Sequence, residues 1–524
     1  VITEKTPHGD AHTAMPSGNM GGMATTINFD HLLPEGEHLL DFQTTAVAYG
    51  LMASQDGKGV MIGDEQGLGK TATAITLAKL FALAHSVDDP KFLIVAKSAL
   101  KLNWAKEIAR FAPEWDVQVL SGTRPYAMVG KVAIISFNLL RTWADALIAE
   151  GFTGLIIDES HVVKDPSTQQ TKAALKIATD IRARKGLVAL LSGTPFLNRP
   201  VELVPQLQMM GRIEEVAPLP RYGTTDRDWE FSFKNTFCAP KKVYAGGRSF
   251  TEYKGASRQD LMNTRMRNRF YIRRLRKAVL NMSETHRVHV NLSLNGDLDP
   301  YWDVEKNFVA KDPRSFMLEL LTQLRITAGC CKIPAAIEWV KDFIEENEGK
   351  KLVAWAWHIE VQKQLAAALN EAGIKAVYLK GEQDAGRIEE AKEAFNDGDV
   401  QVIVCSLQAH REGHTLLGDG TNVTDSLFVE QPFHPGAVSQ AEDRISRIGR
   451  TAEAVFAHTL IVPGTVDIWL EDMIASKWEA FKAGADGSIA EWEEDSVQKE
   501  MMDRLAAHLR SKYGEGRFPQ GEVI

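Results

Sequence analysis

The chemistry open to this chain is concentrated in three short runs. The first reads Gly63-Asp64-Glu65-Gln66-Gly67-Leu68-Gly69-Lys70-Thr71. Gly67 and Gly69 let backbone N–H groups approach an anion, and a helix starting there adds partial positive charge. Lys70 can then reach the terminal phosphates of a nucleoside triphosphate, and Thr71 can ligate magnesium. The general phosphate-loop pattern places a glycine where Asp64 stands. The second run, Leu155-Ile156-Ile157-Asp158-Glu159-Ser160-His161, is an apolar strand ending in two carboxylates. Ligands of open α/β sheets sit at the carboxyl ends of strands. There Asp158 can hold magnesium through water and Glu159 can orient or deprotonate the attacking water. Alone, this run reads equally well as a strand followed by a polar cap. The third run is Gln440-Ala441-Glu442-Asp443-Arg444-Ile445-Ser446-Arg447-Ile448-Gly449-Arg450. At about 100° per residue, Gln440, Arg444 and Arg447 share one helical face. Two guanidiniums on one face can engage a γ-phosphate as charge develops.

The elements that must position these groups follow from the apolar runs. Val60 to Ile62 reads as a buried strand ahead of the loop, and Ala72 to Phe81 as a helix behind it. Residues 92–96, 132–137, 154–157 and 187–191 are continuous apolar runs, with helices expected at 99–111, 138–149 and 168–183. Fully apolar strands of this length belong in parallel sheets covered on both faces. The alternation stops near residue 213 and returns with strands at 352–357, 376–379, 400–405, 426–430 and 455–462. Helices are expected there at 359–372, 384–396 and 436–448. The expected fold class is α/β, with two doubly wound lobes and a helical insertion between them. The expected boundaries are a disordered tail over 1–35, a first lobe over 36–213, the insertion over 214–295, a second lobe over 296–478 and a helical extension over 479–524.

Taken together, Asp64 to Thr71 and Asp158 to His161 resemble the Swi/Snf-type ATPases of helicase superfamily two. That family also carries an acidic residue at the position of Asp64. The resemblance runs from about residue 38 to 470, and it implies RecA-like lobes, ATP and magnesium as cofactors, and DNA as the partner. It implies that Gln43 reads the adenine edge, and that Ile134-Ile135-Ser136-Phe137 lies against the tracked strand. It implies that Leu191-Ser192-Gly193-Thr194-Pro195 couples hydrolysis to lobe movement through Ser192 and Thr194. Val404 to Thr415 resembles the strand-contact block, with Ser406 facing DNA and Gly413 near the nucleotide. His410-Arg411 there replace the usual glycine pair. Arg199 to Leu203 looks most like the annealing-helicase (HepA-related) subgroup. The implied activity is an ATP-dependent double-stranded DNA translocase with annealing or fork remodelling. The alternatives are a strand-separating DNA or RNA helicase and a non-hydrolysing ATP-gated clamp.

Bulk properties restrict the partners. The 524 residues need more than one core. The net charge of −9 excludes a surface that is basic throughout, so nucleic acid would meet a local patch. Residues 265–277 supply seven basic side chains, including Arg265, Arg269 and Arg273, with no acid among them. They are candidate DNA contacts, although some would instead brace the lobes. The four cysteines lack zinc-site spacing and read as buried thiols of a reducing compartment. His358, His410 and His414 have no metal-ligand spacing. No apolar stretch reaches the ~18 residues of a membrane span. A cytoplasmic protein of prokaryotic or viral type is expected, brought to its site by a targeting protein and free of membrane.

Overall fold

The computed structural model describes residues 28–193, 199–220, 223–245, 248–253, 255–280, 285–293, 298–308, 315–379, 385–408, 416–433, 435–446, 454–483 and 494–514. Two lobes are each built on a parallel sheet. The first uses β1 (Val60–Ile62), β2 (Phe92–Ala96), β3 (Val117–Val119), β4 (Val132–Ser136), β5 (Gly154–Ile157) and β6 (Leu187–Leu191). A hairpin of β7 (Lys241–Ala245) and β8 (Arg248–Glu252) follows, and β9 (Tyr271–Ile272) returns to the sheet. The spatial order is β3-β4-β2-β5-β6-β1-β9. Every residue of β1, β2, β4, β5 and β6 is buried, as expected of apolar runs covered by helices on both faces.

The second sheet contains β10 (Thr285–Asn291), β11 (Leu352–Ala356), β12 (Ala376–Tyr378), β13 (Val402–Ser406), β14 (Asp425–Phe428) and β15 (Val455–Ile461), in the order β10-β15-β14-β11-β13-β12. Its strands divide their side chains between two cores. Val353, Trp355, Ile403 and Cys405 pack on one face, while Leu352, Ala354, Ala356, Val402 and Val404 pack on the other. This is the two-residue period of a pleated strand.

The segment between the lobes differs from a purely helical insertion. Its helices Asp226–Phe237 and Gln259–Arg267 bury Phe233, Phe237, Met262 and Met266 in the core of the first lobe. Tyr271–Ile272 extends the first sheet beside β1, and Thr285–Asn291 pairs along β15 of the second. Both strands mix polar and apolar residues because they lie at sheet edges, so no apolar run marks them. The expected helix over 436–448 ends earlier, at Pro435–Glu442. The helix Val466–Ala483 also runs through the expected boundary at 478.

Glycine is required where the first loop leaves β1. A Cβ on Gly63 would stand 2.2 Å from Cε2 of the Tyr271 ring. The loop can therefore hug β9, which ties it to the chain entering the second lobe. Cys238 and Cys405 are buried, whereas Cys330 and Cys331 are only partly so. Among the described residues, no helix is long and apolar enough to cross a membrane.

Candidate active site

The phosphate-loop candidates stand at the carboxyl end of β1. Gly67 and Gly69 have φ of 81° and 70°, the left-handed region open to glycine. Gly69 caps the helix Lys70–Ala84, whose first N–H groups face the loop. The Lys70 ammonium donates to the carbonyls of Asp64 at 2.8 Å and Glu65 at 3.3 Å. Burial lowers its pKa, against the pull of Glu159, Asp158 and Asp64. A half-buried cation held by loop carbonyls, with acids nearby, fits a phosphate group.

Asp64 itself does not face this space. It is fully buried, and its Oδ1 accepts from the backbone N of Arg274 at 3.0 Å and from Arg274 Nε at 2.9 Å. Arg274 Nη2 pairs with Oδ2, and Nη1 donates to the Phe42 carbonyl. The carboxylate that breaks the general loop pattern is therefore an anchor. It clamps the loop to residues 273–276 and to the helix Asp41–Ala53. Removing one partner of a buried pair strands the other charge. Arg274→Met is expected to cost about 3–5 kcal/mol, read as a fall in thermal midpoint, and Asp64→Leu with Arg274→Met should recover part of it. A single variant as stable as the wild type would sink this account.

Asp158 and Glu159 follow β5. Asp158 Oδ2 accepts from the Trp104 indole at 2.8 Å, and Oδ1 accepts from the Glu159 N–H at 3.0 Å. Burial and the adjacent Glu159 charge push Asp158 up to about 6, against Trp104 and Lys70. A half-buried carboxylate short of countercharge fits a cation site, and Thr71 on the helix Lys70–Ala84 lines the same cleft. Among the described residues, no group of three or more His, Cys, Asp or Glu could hold a metal. An ion here would take its remaining ligands from phosphate and water, as magnesium does. Glu159 has φ 50° and ψ 52°, a strained setting for a non-glycine residue. Burial works to raise it, but His161, Lys70 and Lys97 outweigh burial and hold it at about 2. His161 Nδ1 lies 3.2 Å from Glu159 Oε2 and 3.1 Å from Ser192 Oγ. The two carboxylates are thus adjacent in sequence and set apart in acidity, a pattern typical of functional sites.

Arg444 enters from the second lobe. It is 2% exposed; its Nε donates to the Gln440 carbonyl at 3.0 Å, and Nη2 to Gln66 Oε1 of the loop at 3.2 Å. It lines one cleft of about 590 Å³ with Gln66, Gly67, Gly69, Lys70, Thr71, Trp104, Asp158 and Glu159. The shared helical face is corrected in form: Arg444 sits in the turn after Glu442, and its own Nε bond back to Gln440 holds it. Gln440 is buried, with Oε1 lacking a hydrogen-bond partner among the described residues. Arg447, Thr194 and Gly413 lie outside the described residues, as do His410 and His414.

Other expected residues are placed less simply. Gln43 Oε1 accepts from Leu40 N at 2.9 Å and Nε2 donates to Leu68 O at 3.1 Å; its amide fixes the loop from behind. Ser136 and Ser406 end β4 and β13, each 5% exposed. The basic stripe is divided. Arg265 donates to Val216 O at 2.6 Å. Arg273 donates to the carbonyls of Gly63, at 2.8 Å, and Gly193. Both guanidiniums thus serve the first lobe internally, whereas Arg267 is exposed and Arg269, 3.9 Å from Glu215, has its side chain 56% exposed. Arg276, in the same stripe, bridges the lobes. It meets Asp443 at 2.7 Å and the Ser446 carbonyl at 2.8 Å. His358 Nδ1 is 2.6 Å from Glu430 Oε1. Trp104 and Gln66 are the contributors that motif spacing missed. The bond of Trp104 to Asp158 spans 54 residues.

A two-lobed α/β fold with a phosphate-loop candidate facing the cleft between its lobes is what these elements define. The chain contains a region similar to the SNF2-related domain: residues 42–297 match the model of that domain. The DNA annealing helicase and endonuclease ZRANB3 of Bos taurus is 29% identical over 89% of this chain and 42% of its own length. The SWI/SNF-related matrix-associated actin-dependent regulator of chromatin subfamily A-like protein 1 homolog of Caenorhabditis elegans is 28% identical over 84% of this chain and 61% of its own. The chain thus spans about two-fifths to three-fifths of these relatives. The Sulfolobus solfataricus SWI2/SNF2 ATPase core in complex with dsDNA aligns over 88% of this chain and 97% of its own, at 19% identity and a TM-score of 0.40.

Proposed function

We propose that the chain is a DNA-dependent ATPase that moves along double-stranded DNA, with strand annealing or fork remodelling as its output. The observation that carries this reading is the shared cleft: Lys70, Asp158 and Glu159 on one lobe face Arg444 from the other. Lys70 and the loop N–H groups hold the phosphates of ATP; Gln43 braces the loop, and Gln440 and Gly413 are assigned to nucleotide binding. Thr71 and Asp158 hold magnesium, which supplies charge neutralisation at the phosphates. Glu159 orients the attacking water and takes its proton. Arg444, with Arg447, completes the site only when the lobes meet. Ser192 is coupled to Glu159 through His161, and with Thr194 it transmits the state of the cleft. Arg269 is the residue we assign to the DNA backbone, since Ser136 and Ser406 are each buried at a strand end. The activity on DNA named for the annealing helicase ZRANB3 supports this choice of partner, and a targeting protein would select the site.

The deciding measurement is ATP turnover with duplex, forked and single-stranded DNA and with RNA. Stimulation by duplex and forked DNA above the others is expected, with loss of turnover on chelation of divalent metal. Stimulation by single strands or RNA alone would favour a strand-separating helicase, and no turnover with any of them would leave the clamp.

A further inference from the structure

The hairpin β7–β8 pairs with no other strand among the described residues. Its base is fixed: Ser257 N donates to Phe237 O at 2.9 Å, and Phe237 is buried in the core of the first lobe. Tyr244 is 78% exposed and Phe250 is 51% exposed. Antiparallel register sets Tyr244 opposite Ser249 and Val243 opposite Phe250. Directly opposed residues share a face and neighbours alternate, so the ribbon carries one aromatic ring on each side. A two-stranded ribbon without a packed face has little stability of its own, and it gains none from rings left in water.

The charge around these rings is selective. Residues 239–258 carry Lys241, Lys242, Arg248, Lys254 and Arg258 against the single acid Glu252, on a chain of net charge −9. Lys241 and Lys242 are exposed. Aromatic rings beside solvated cations suit bases flanked by phosphates, since every base offers a π-face and every linkage a negative charge. An acidic chain has few such places.

We propose that this hairpin binds unpaired DNA, with Tyr244 and Phe250 stacking on bases exposed at a junction and Lys241 and Lys242 meeting the adjoining phosphates. The proposal deepens the reading of the chain as a DNA motor, and rests on it for the choice of DNA. It gives the motor a way to favour forks over plain duplex.

The test is equilibrium binding without nucleotide, by fluorescence anisotropy, to a labelled fork with a short single-stranded gap and to a blunt duplex of equal length. Tyr244→Ala with Phe250→Ala is expected to weaken fork binding by about 10-fold or more, leaving blunt-duplex binding and duplex-stimulated ATP turnover unchanged. Tyr244→Phe with Phe250→Tyr should retain fork binding. Lys241→Ala with Lys242→Ala should weaken it and flatten its salt dependence. Fork affinity unchanged in the aromatic double variant overturns the proposal and assigns the hairpin to a protein partner. Equal losses on fork and blunt duplex overturn it too. A wild type whose turnover ignores DNA counts against the motor reading instead, and the binding assay reads the hairpin separately.

Discussion

Glu159→Gln is expected to lower DNA-stimulated kcat by about 10²–10⁴-fold while ATP still binds. The amide keeps the size of the side chain but cannot take a proton. Glu159 is suited to that step by its surroundings: it stays ionised beside a carboxylate pushed up to about 6. His161 holds its charge at 3.2 Å and touches Ser192 at 3.1 Å, so the same imidazole links the base to the loop after β6. Lys70→Ala should abolish turnover by a different route, raising the apparent KM for ATP because the phosphates lose their cation. Removing Lys70 also leaves the carbonyls of Asp64 and Glu65 without their donor, and solvent in the open cleft can replace it. Both variants should keep the thermal midpoint of the wild type. Steady-state turnover with saturating duplex DNA, alongside nucleotide binding, separates the two effects. Turnover retained in both would remove the chemistry assigned to this cleft.

The local half of this site was readable in the chain because each piece lies within a few residues of its neighbours. The loop, its helix and the strand ending in Asp158 announce themselves through glycines and apolar runs. Contacts made at long range were not readable. Asp64 and Arg274 are 210 residues apart, and no spacing rule connects them, so Asp64 could be recognised as characteristic without its role being visible. The basic stripe misled for the opposite reason. Counting charges from 265 to 277 says nothing about acceptors, and Arg265 and Arg273 find theirs in carbonyls of the first lobe. The edge strands β9 and β10 were missed because a strand covered on one side needs no apolar run. Helical periodicity placed Gln440 and Arg444 together correctly, but the chain reaches that arrangement through a turn after Glu442.

That turn bears on the last prediction. Arg444→Ala is expected to reduce kcat by about 10³-fold or more, with little change in ATP affinity. Among the described residues, its guanidinium is the group that lines the cleft from the second lobe, so what it adds depends on how the lobes meet. The contact to Gln66 at 3.2 Å is to a neutral amide, which a developing phosphate charge would outcompete. Other interlobe contacts hold the approach without entering the cleft. Arg276 meets Asp443 at 2.7 Å, and Lys106 reaches Glu389 and, at 3.3 Å, Glu393. Lys106 is 53% exposed, and a pair of that kind contributes only about 0.2–1 kcal/mol. Lys106→Ala should therefore leave turnover within a few-fold of the wild type, whereas Arg444→Ala should not. Arg444→Lys is the stricter control: it keeps the charge but loses the planar fork that can span two phosphate oxygens, so it should recover only a small part of the lost rate. If Arg444→Ala and Lys106→Ala have equal effects, the arginine acts only by holding the lobes together. A large gap between them, with the lysine variant close to alanine, makes lobe closure part of the chemistry itself.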